Sequence, residues 1–176
     1  DKIAVFSKRG HPDSIIRAGH LEDDADVQNY LSSEYDVIAP DELVTFRRDP
    51  MLEIFTRART TNPAMIALRG NPAEDYDGSL VIASTNPGGT GGLWVRQFFI
   101  EHNPDPDEFP SYVPSQWHFE PARLKDNPYL RAGYVENLRN LREARRRQLE
   151  DGDWDVFEGQ MFGEFQQQRM GKPWHV

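Results

Sequence analysis

Two adjacent carboxylates, Asp41 and Glu42, end the apolar run in "EYDVIAPDELVTF" (residues 34–46). Acids that leave a strand end stand at the edge of a sheet, where open α/β sheets bind ligands. One such acid can hold a magnesium ion through its water shell, and its neighbour can orient and deprotonate a water that attacks a phosphate. Adjacent residues on extended chain point in different directions, so an Asp-Glu pair suits both tasks. The pair also fits a helix N-cap acid beside a solvated neighbour, and by itself does not decide between the two.

A second set of groups closes "SLVIASTNPGG" (79–89), where Ser84, Thr85 and Asn86 follow another apolar run. If the two strands are neighbours, these small polar side chains share an edge with the acids and can sense a γ-phosphate by making or losing a hydrogen bond. A polar strand end with an Asn-Pro turn is the alternative. Gly88, Gly89, Gly91 and Gly92 lack the Lys and Ser/Thr of GxxxxGK[ST], so "GGTGG" reads as a turn into a helix, and no such phosphate loop occurs in the chain. Arg57 and Arg59 are candidates for an arginine finger or sensor on a helix between the two strands, although solvated surface groups have the same pattern. Arg139, Arg142 and Arg146 lie three and four residues apart, a spacing that lets one helical flank meet DNA phosphates or an acidic partner. The five histidines show no metal-ligand spacing, no GxSxG elbow surrounds a serine, and there is no cysteine, which leaves hydrolytic zinc and thiolate chemistry without support.

These groups need a scaffold. Apolar, β-branched runs bounded by turn residues predict strands at "KIAVFS", "SIIRAGHL", "YDVIAP" and "SLVIASTN", the last two fully buried. "DPMLEIFTRART" between those two reads as a helix with Asp49 as N-cap and Pro50 at its first position. Strand, helix, strand implies a parallel sheet. Downstream, "LWVRQFFIEH" reads as a short helix, and "NPDPDEFPSYVPSQ", with four prolines in fourteen residues, as a loop. "WHFEPARL" has strand-like alternation. "DNPYLRAGYVENLRNLREARRRQLEDG" is the clearest helical region, capped by Asp126 or Asn127, with Pro128 at its first position and Gly152 closing it. "DWDVFEGQMFGEFQQQ" returns to a strand pattern.

The 176 residues, 38% hydrophobic and 28% charged, suit about one domain with the beginning of another. The net charge of -9 excludes a uniformly nucleic-acid-binding surface. Residues 19–42 carry eight acids and no Lys or Arg, whereas residues 131–148 carry six arginines and two glutamates, so contact with a polyanion would be local. No apolar run reaches the length of a membrane span, and no membrane partner is expected. The start lacks both a signal-peptide pattern and an initiator Met, which suggests a piece of a longer chain.

Taken in order, "GHLEDDADVQNYLSSEYDVIAPDELVTF", "IASTNPGGTGGLWVRQFFI", "FEPARLKDNPYL" and "LEDGDWDVFEGQMFGEF" resemble the large subunit of tailed-phage and prophage terminases, over roughly residues 14–165. Such a subunit is a motor that moves viral DNA into a procapsid. The resemblance implies an α/β fold: part of a P-loop NTPase sheet of the ASCE type with flanking helices, a helical linking subdomain, and the first strand of an RNase H-like nuclease. It divides the chain into residues 1–122 (ATPase), 123–152 (linker) and 153–176 (start of the endonuclease). It further implies that Asp41 is the acid on the magnesium shell, Glu42 the catalytic glutamate, and Ser84, Thr85 and Asn86 the coupling motif. ATP and Mg2+ would be its cofactors. Double-stranded DNA, a portal protein, a terminase small subunit and further copies in a ring would be its partners, in the cytoplasm of the host.

The family's phosphate loop lies upstream of the "GHL…DE" region, and its nuclease carboxylates lie downstream of "FEGQMFGEF". Residues 1–176 taken alone are therefore expected not to hydrolyse ATP. Ala39-Pro40 interrupts the usual apolar run before the acids, and Gly92 stands where a His is frequent. The alternative is a non-catalytic module derived from the motor fold, binding DNA or a partner through its arginines.

Overall fold

The computed structural model describes residues 2–10, 13–71, 73 and 76–156. They form a mixed α/β structure with two sheets of two strands each, in two compact units, Asp1–Ser84 and Thr85–Val176. The expected boundaries at 122/123 and 152/153 both fall inside the second unit.

In the first unit the expected strands form. β1 (Lys2–Phe6) and β2 (Ser14–Ala18) are an antiparallel hairpin, with Lys2 opposite Ala18 and Phe6 opposite Ser14. β3 (Val37–Ile38) and β4 (Leu80–Val81) pair in parallel, Val37 with Leu80 and Ile38 with Val81. Both are shorter than their apolar runs, and the reason is Pro40. It has no N–H to donate, so one rung of the ladder is lost beyond Ile38. The chains stay side by side, because Ser84 N donates to Pro40 O at 3.1 Å and Leu43 N donates to Ser84 O at 3.0 Å. The expectation that both strands are fully buried is not met: Val37 is 44% exposed and Ile82 58% exposed. A continuous apolar run specifies burial on both faces only where other layers cover the sheet.

The core of this unit is set by neighbours of the acids. Leu43 and Val44 follow Glu42 in a short 3₁₀ turn and are buried with Val27 and with Met51 and Ile54. A short helix α1 (Gln28–Leu31) follows the 3₁₀ turn that carries Val27. Met51 and Ile54, three residues apart, give α2 (Arg48–Phe55) its inward face. α2 starts two residues earlier than expected: Arg47 is the N-cap, without a side-chain cap bond, and Asp49 and Pro50 lie within the first turn. The first N–H groups of a helix have no intrahelical acceptor, so proline is tolerated at the third position as at the first. A further helix, α3 (Pro63–Arg69), is unanticipated. Asn62 caps it by accepting from Ala64 N, and Pro63 takes the first position, a start signal that its exposed, weakly periodic sequence concealed.

The ends of β3 and β4 remote from the acids are tied by polar groups. The Thr60 hydroxyl bonds to Asp36, and the Asp77 carboxylate accepts from Thr60 N and Ser79 N, both at 2.8 Å. The Ser79 and Thr60 amides hold the Asp77 carboxyl below its ordinary value, because they bond best to the ionised form. A carboxyl depressed in the folded state contributes stability that is present above its unfolded value, about 3.9, and lost as the pH falls through the folded one. Urea midpoints of the wild type should therefore drop as the pH is lowered from about 4, in part also through Asp26, whose carboxyl is likewise lowered by the Glu22 and Asp23 amides. Asp77→Asn should flatten that acid limb; an unchanged slope in the variant would exclude this role.

In the second unit α4 (Gly92–Val95) runs on as a π-helical turn, Arg96–Ile100. Phe98, 2% exposed, meets Phe109, Trp117 and Tyr112 edge-on, with ring centroids 4.9, 5.0 and 5.5 Å away. The Tyr112 hydroxyl donates to Phe98 O at 2.5 Å. The four-proline segment is irregular, as expected, and is held by these rings. "WHFEPARL" forms no strand among the described residues; a 3₁₀ turn, Pro114–Gln116, leads into chain without a ladder partner.

The long helix expected over 126–152 divides into α5 (Ala132–Leu138) and α6 (Glu143–Asp151). Asn140 N and Leu141 N bond three residues back, to Asn137 O and Leu138 O, tightening the end of α5, and Arg142 is extended. Asparagine is a weak helix former, and Asn137 and Asn140 lie in the last turn of α5 and in the break. The expected caps act earlier instead: Leu124–Asp126 is a 3₁₀ turn, and Asn127 Oδ1 accepts from Tyr129 N. Gly152 closes α6 in the left-handed conformation, φ 64°, as its position predicts. Residues 153–156 form a turn, and the rest of the expected nuclease strand lies outside the described residues.

Candidate functional site

Asp41 and Ser84 meet at the ends of the two parallel strands. The Ser84 hydroxyl donates to Asp41 Oδ1, which also accepts from Glu42 N at 3.1 Å. Oδ2 is left without a hydrogen-bond partner among the described residues. The Ser84 amide and carbonyl are fixed by Pro40 O and Leu43 N, so both the backbone and the side chain of Ser84 lock onto the chain that carries the acids. This juxtaposition answers the condition left open by the sequence, that the two strands be neighbours.

Glu42 sits at φ 52°, ψ 54°, one of two non-glycine residues in the left-handed region among those described. That conformation costs about 1–2 kcal/mol for a residue with a Cβ. It turns the chain sharply away from the sheet, so that Leu43 and Val44 enter the core while the Asp41 and Glu42 side chains remain exposed. Glu42 O accepts from Thr45 N and Oγ1, both at 2.8 Å, which closes the turn. Nothing in the sequence signals this strain. Asp41 also borders a groove of about 360 Å³ lined by Arg17, His20, Tyr35, Phe46 and Met51.

The fit of a magnesium ion is decided by donors. Among the described residues no group of three His, Cys, Asp or Glu side chains could hold a metal by itself. Asp41 Oδ2 is a hard, open oxygen, which suits an ion that keeps most of its water and takes its other ligands from substrate phosphates.

Arg57 and Arg59 are placed at the other end of β3. Tyr35 N donates to Arg57 O and Arg59 N to Tyr35 O, six residues before Asp41, which is about 20 Å along extended chain. Arg57 Nη1 donates to Leu31 O at 3.2 Å while its Nε is buried without a partner, and Arg59 pairs with Glu34 at 3.1 Å. Within the first unit neither is brought to the acids.

Thr85 and Asn86 open the second unit, where Thr85 Oγ1 donates to Asn86 O at 3.4 Å. Beyond them Arg145 Nη1 donates to Pro87 O at 3.2 Å and to Gln148 Oε1 at 3.1 Å. Gln148, 2% exposed, donates to Val156 O at 2.6 Å. The sequence had no sign of this clamp, because a glutamine on an arginine-rich helix reads as surface. Arg139 and Arg146 both line a concavity between α5 and α6, and Arg142, the N-cap of α6, does not.

The chain matches no protein-family profile, no curated protein and no solved structure. Among the described residues no helix is long and apolar enough to cross a membrane.

Proposed function

We propose that this chain is part of a terminase large subunit, carrying the hydrolytic acids and the coupling motif of an ATP-driven DNA-packaging motor with an attached endonuclease. The observation that carries the reading is the hydrogen bond from Ser84 to Asp41 across two parallel strands, with Glu42 turned outward one residue later. The four ordered sequence motifs add to it. In this reading the ATPase sheet is of the ASCE type, and the linker spans α5 and α6.

Asp41 would hold Mg2+ through its water shell, and the ion supplies charge neutralisation on the β- and γ-phosphates. The Glu42 carboxylate would orient a water in line with the γ-phosphorus and accept its proton as the new P–O bond forms and the bond to the β,γ-bridging oxygen breaks, releasing ADP and phosphate. Ser84 senses the step: its hydroxyl is bonded to Asp41, so a change in the ligands of Asp41 alters the chain beyond β4, which Thr85 and Asn86 continue. Double-stranded DNA, a portal protein, a small subunit and further copies in a ring are the partners of this assembly, in the host cytoplasm.

The complete product of the reading frame that contains this segment should show Mg2+-dependent ATP hydrolysis. Asp41→Asn should lower kcat by about 100-fold or more, the scale of losing one charge-stabilising group, while nucleotide binding persists. Hydrolysis unaffected by Asp41→Asn would remove the basis of the reading.

A further inference from the structure

The break between α5 and α6 creates a feature that a continuous helix would not have. Arg139, at the C-cap of α5, Arg146, in α6, and Lys125, in the preceding 3₁₀ turn, line one concavity of about 430 Å³ together with Leu124, Leu130 and Val135. Three cations thus come from three separate elements. Among the described residues Lys125 and Arg139 have no ion-pair partner, and Arg146 has only a loose one, Glu150 at 3.9 Å. Glu150 and Asp151 also line the concavity, leaving one net positive charge in an otherwise acidic chain. The neighbouring arginines are already engaged: Arg147 pairs with Asp153 at 2.5 Å, and Arg145 holds Pro87.

We propose that Lys125, Arg139 and Arg146 form a binding site for one phosphate of a duplex DNA backbone. Guanidinium groups approaching from two helices can each offer two N–H donors to phosphate oxygens, beside the apolar side chains that share the lining. Lys125 and Arg139 are exposed, which suits contact with a backbone phosphate. The site shares its DNA partner with the reading above and otherwise rests on its own geometry. Because the helix that carries Arg146 also carries Arg145 and Gln148, it ties the phosphate site to the Pro87 loop just beyond Thr85 and Asn86.

The test uses the 176-residue chain and a short fluorescein-labelled duplex, with anisotropy read over a series of chloride concentrations. One phosphate contact contributes a slope of about 0.9 in log affinity against log salt, or about eightfold at 0.1 M salt. The triple variant Lys125→Gln/Arg139→Gln/Arg146→Gln should lose that much slope and affinity, with its circular dichroism unchanged. Glu150→Gln should bind more tightly than wild type, and Arg147→Gln should bind as wild type does. Sodium phosphate at matched ionic strength should displace the duplex no better than chloride. Absence of wild-type binding, an unchanged slope in the triple variant, or an equal loss in Arg147→Gln would overturn the site. Stronger displacement by phosphate would assign the concavity to free phosphate instead and overturn the backbone assignment. The duplex affinity is read without nucleotide, so failure here is separate from failure of the ATPase reading.

Discussion

Glu42→Gln in the complete reading-frame product is expected to reduce kcat for ATP hydrolysis by about 10²- to 10⁴-fold, the range for loss of a general base, with little change in nucleotide affinity. Glutamine keeps the size and hydrogen-bonding reach of the side chain and removes the site that accepts the proton. The companion variant separates function from fold. At φ 52° glutamate holds a conformation that glycine adopts freely, at a cost of about 1–2 kcal/mol. Glycine in turn loses about 0.5–1 kcal/mol more entropy on folding. Glu42→Gly should therefore leave the fold as stable as wild type or more stable, by up to about 1.5 kcal/mol, while abolishing hydrolysis. Chemical denaturation and an ATPase assay on the same preparations read both quantities. A clear loss of stability in Glu42→Gly would show that the side chain serves packing; full turnover in Glu42→Gln would exclude it as the base.

Phe98→Ala should destabilise the second unit by about 3–5 kcal/mol, the range for deleting a buried aromatic ring. Phe98 is enclosed by Phe109, Tyr112 and Trp117, and its ring meets Trp94 edge-on at 6.1 Å. Each such pair adds about 0.5–1.5 kcal/mol beyond the area buried. The backbone carbonyl of the same residue accepts from the Tyr112 hydroxyl, so the truncation also loosens the segment that wraps the cluster. Trp94 and Trp117 report the change directly in urea unfolding followed by fluorescence. Phe98→Leu, which refills part of the volume, should recover a good part of the loss. A shift under about 1 kcal/mol in Phe98→Ala would place the core elsewhere.

Much of the local structure was legible in the sequence. The four strand runs, the helices beginning near Arg48 and Gly92, and the close of α6 at Gly152 rest on residue types that act within a few positions of one another. The apolar period of Leu130, Tyr134, Leu138 and Leu141 runs across the break at 139–142 between α5 and α6, so periodicity alone does not show it. "WHFEPARL" alternates like a strand, but no strand pairs with it among the described residues. Alternation alone has no partner to bond.

The candidate site divides along the same line. Asp41 and Glu42 were visible as acids after an apolar run, and Ser84 as a hydroxyl after another, because type and spacing are properties of the chain itself. Their meeting, through a bond spanning 43 positions, depends on parallel pairing that neither segment specifies alone. The same holds for the left-handed turn at Glu42, which is retained because Leu43 and Val44 are buried beyond it. It holds again for Lys125, Arg139 and Arg146, which read as unrelated surface cations until the helix break folds three elements around one concavity. Local chemistry fixed which residues could act; packing between distant segments decided which of them stand together, because the free energy that holds a strained turn or gathers like charges comes from contacts that short-range sequence does not contain.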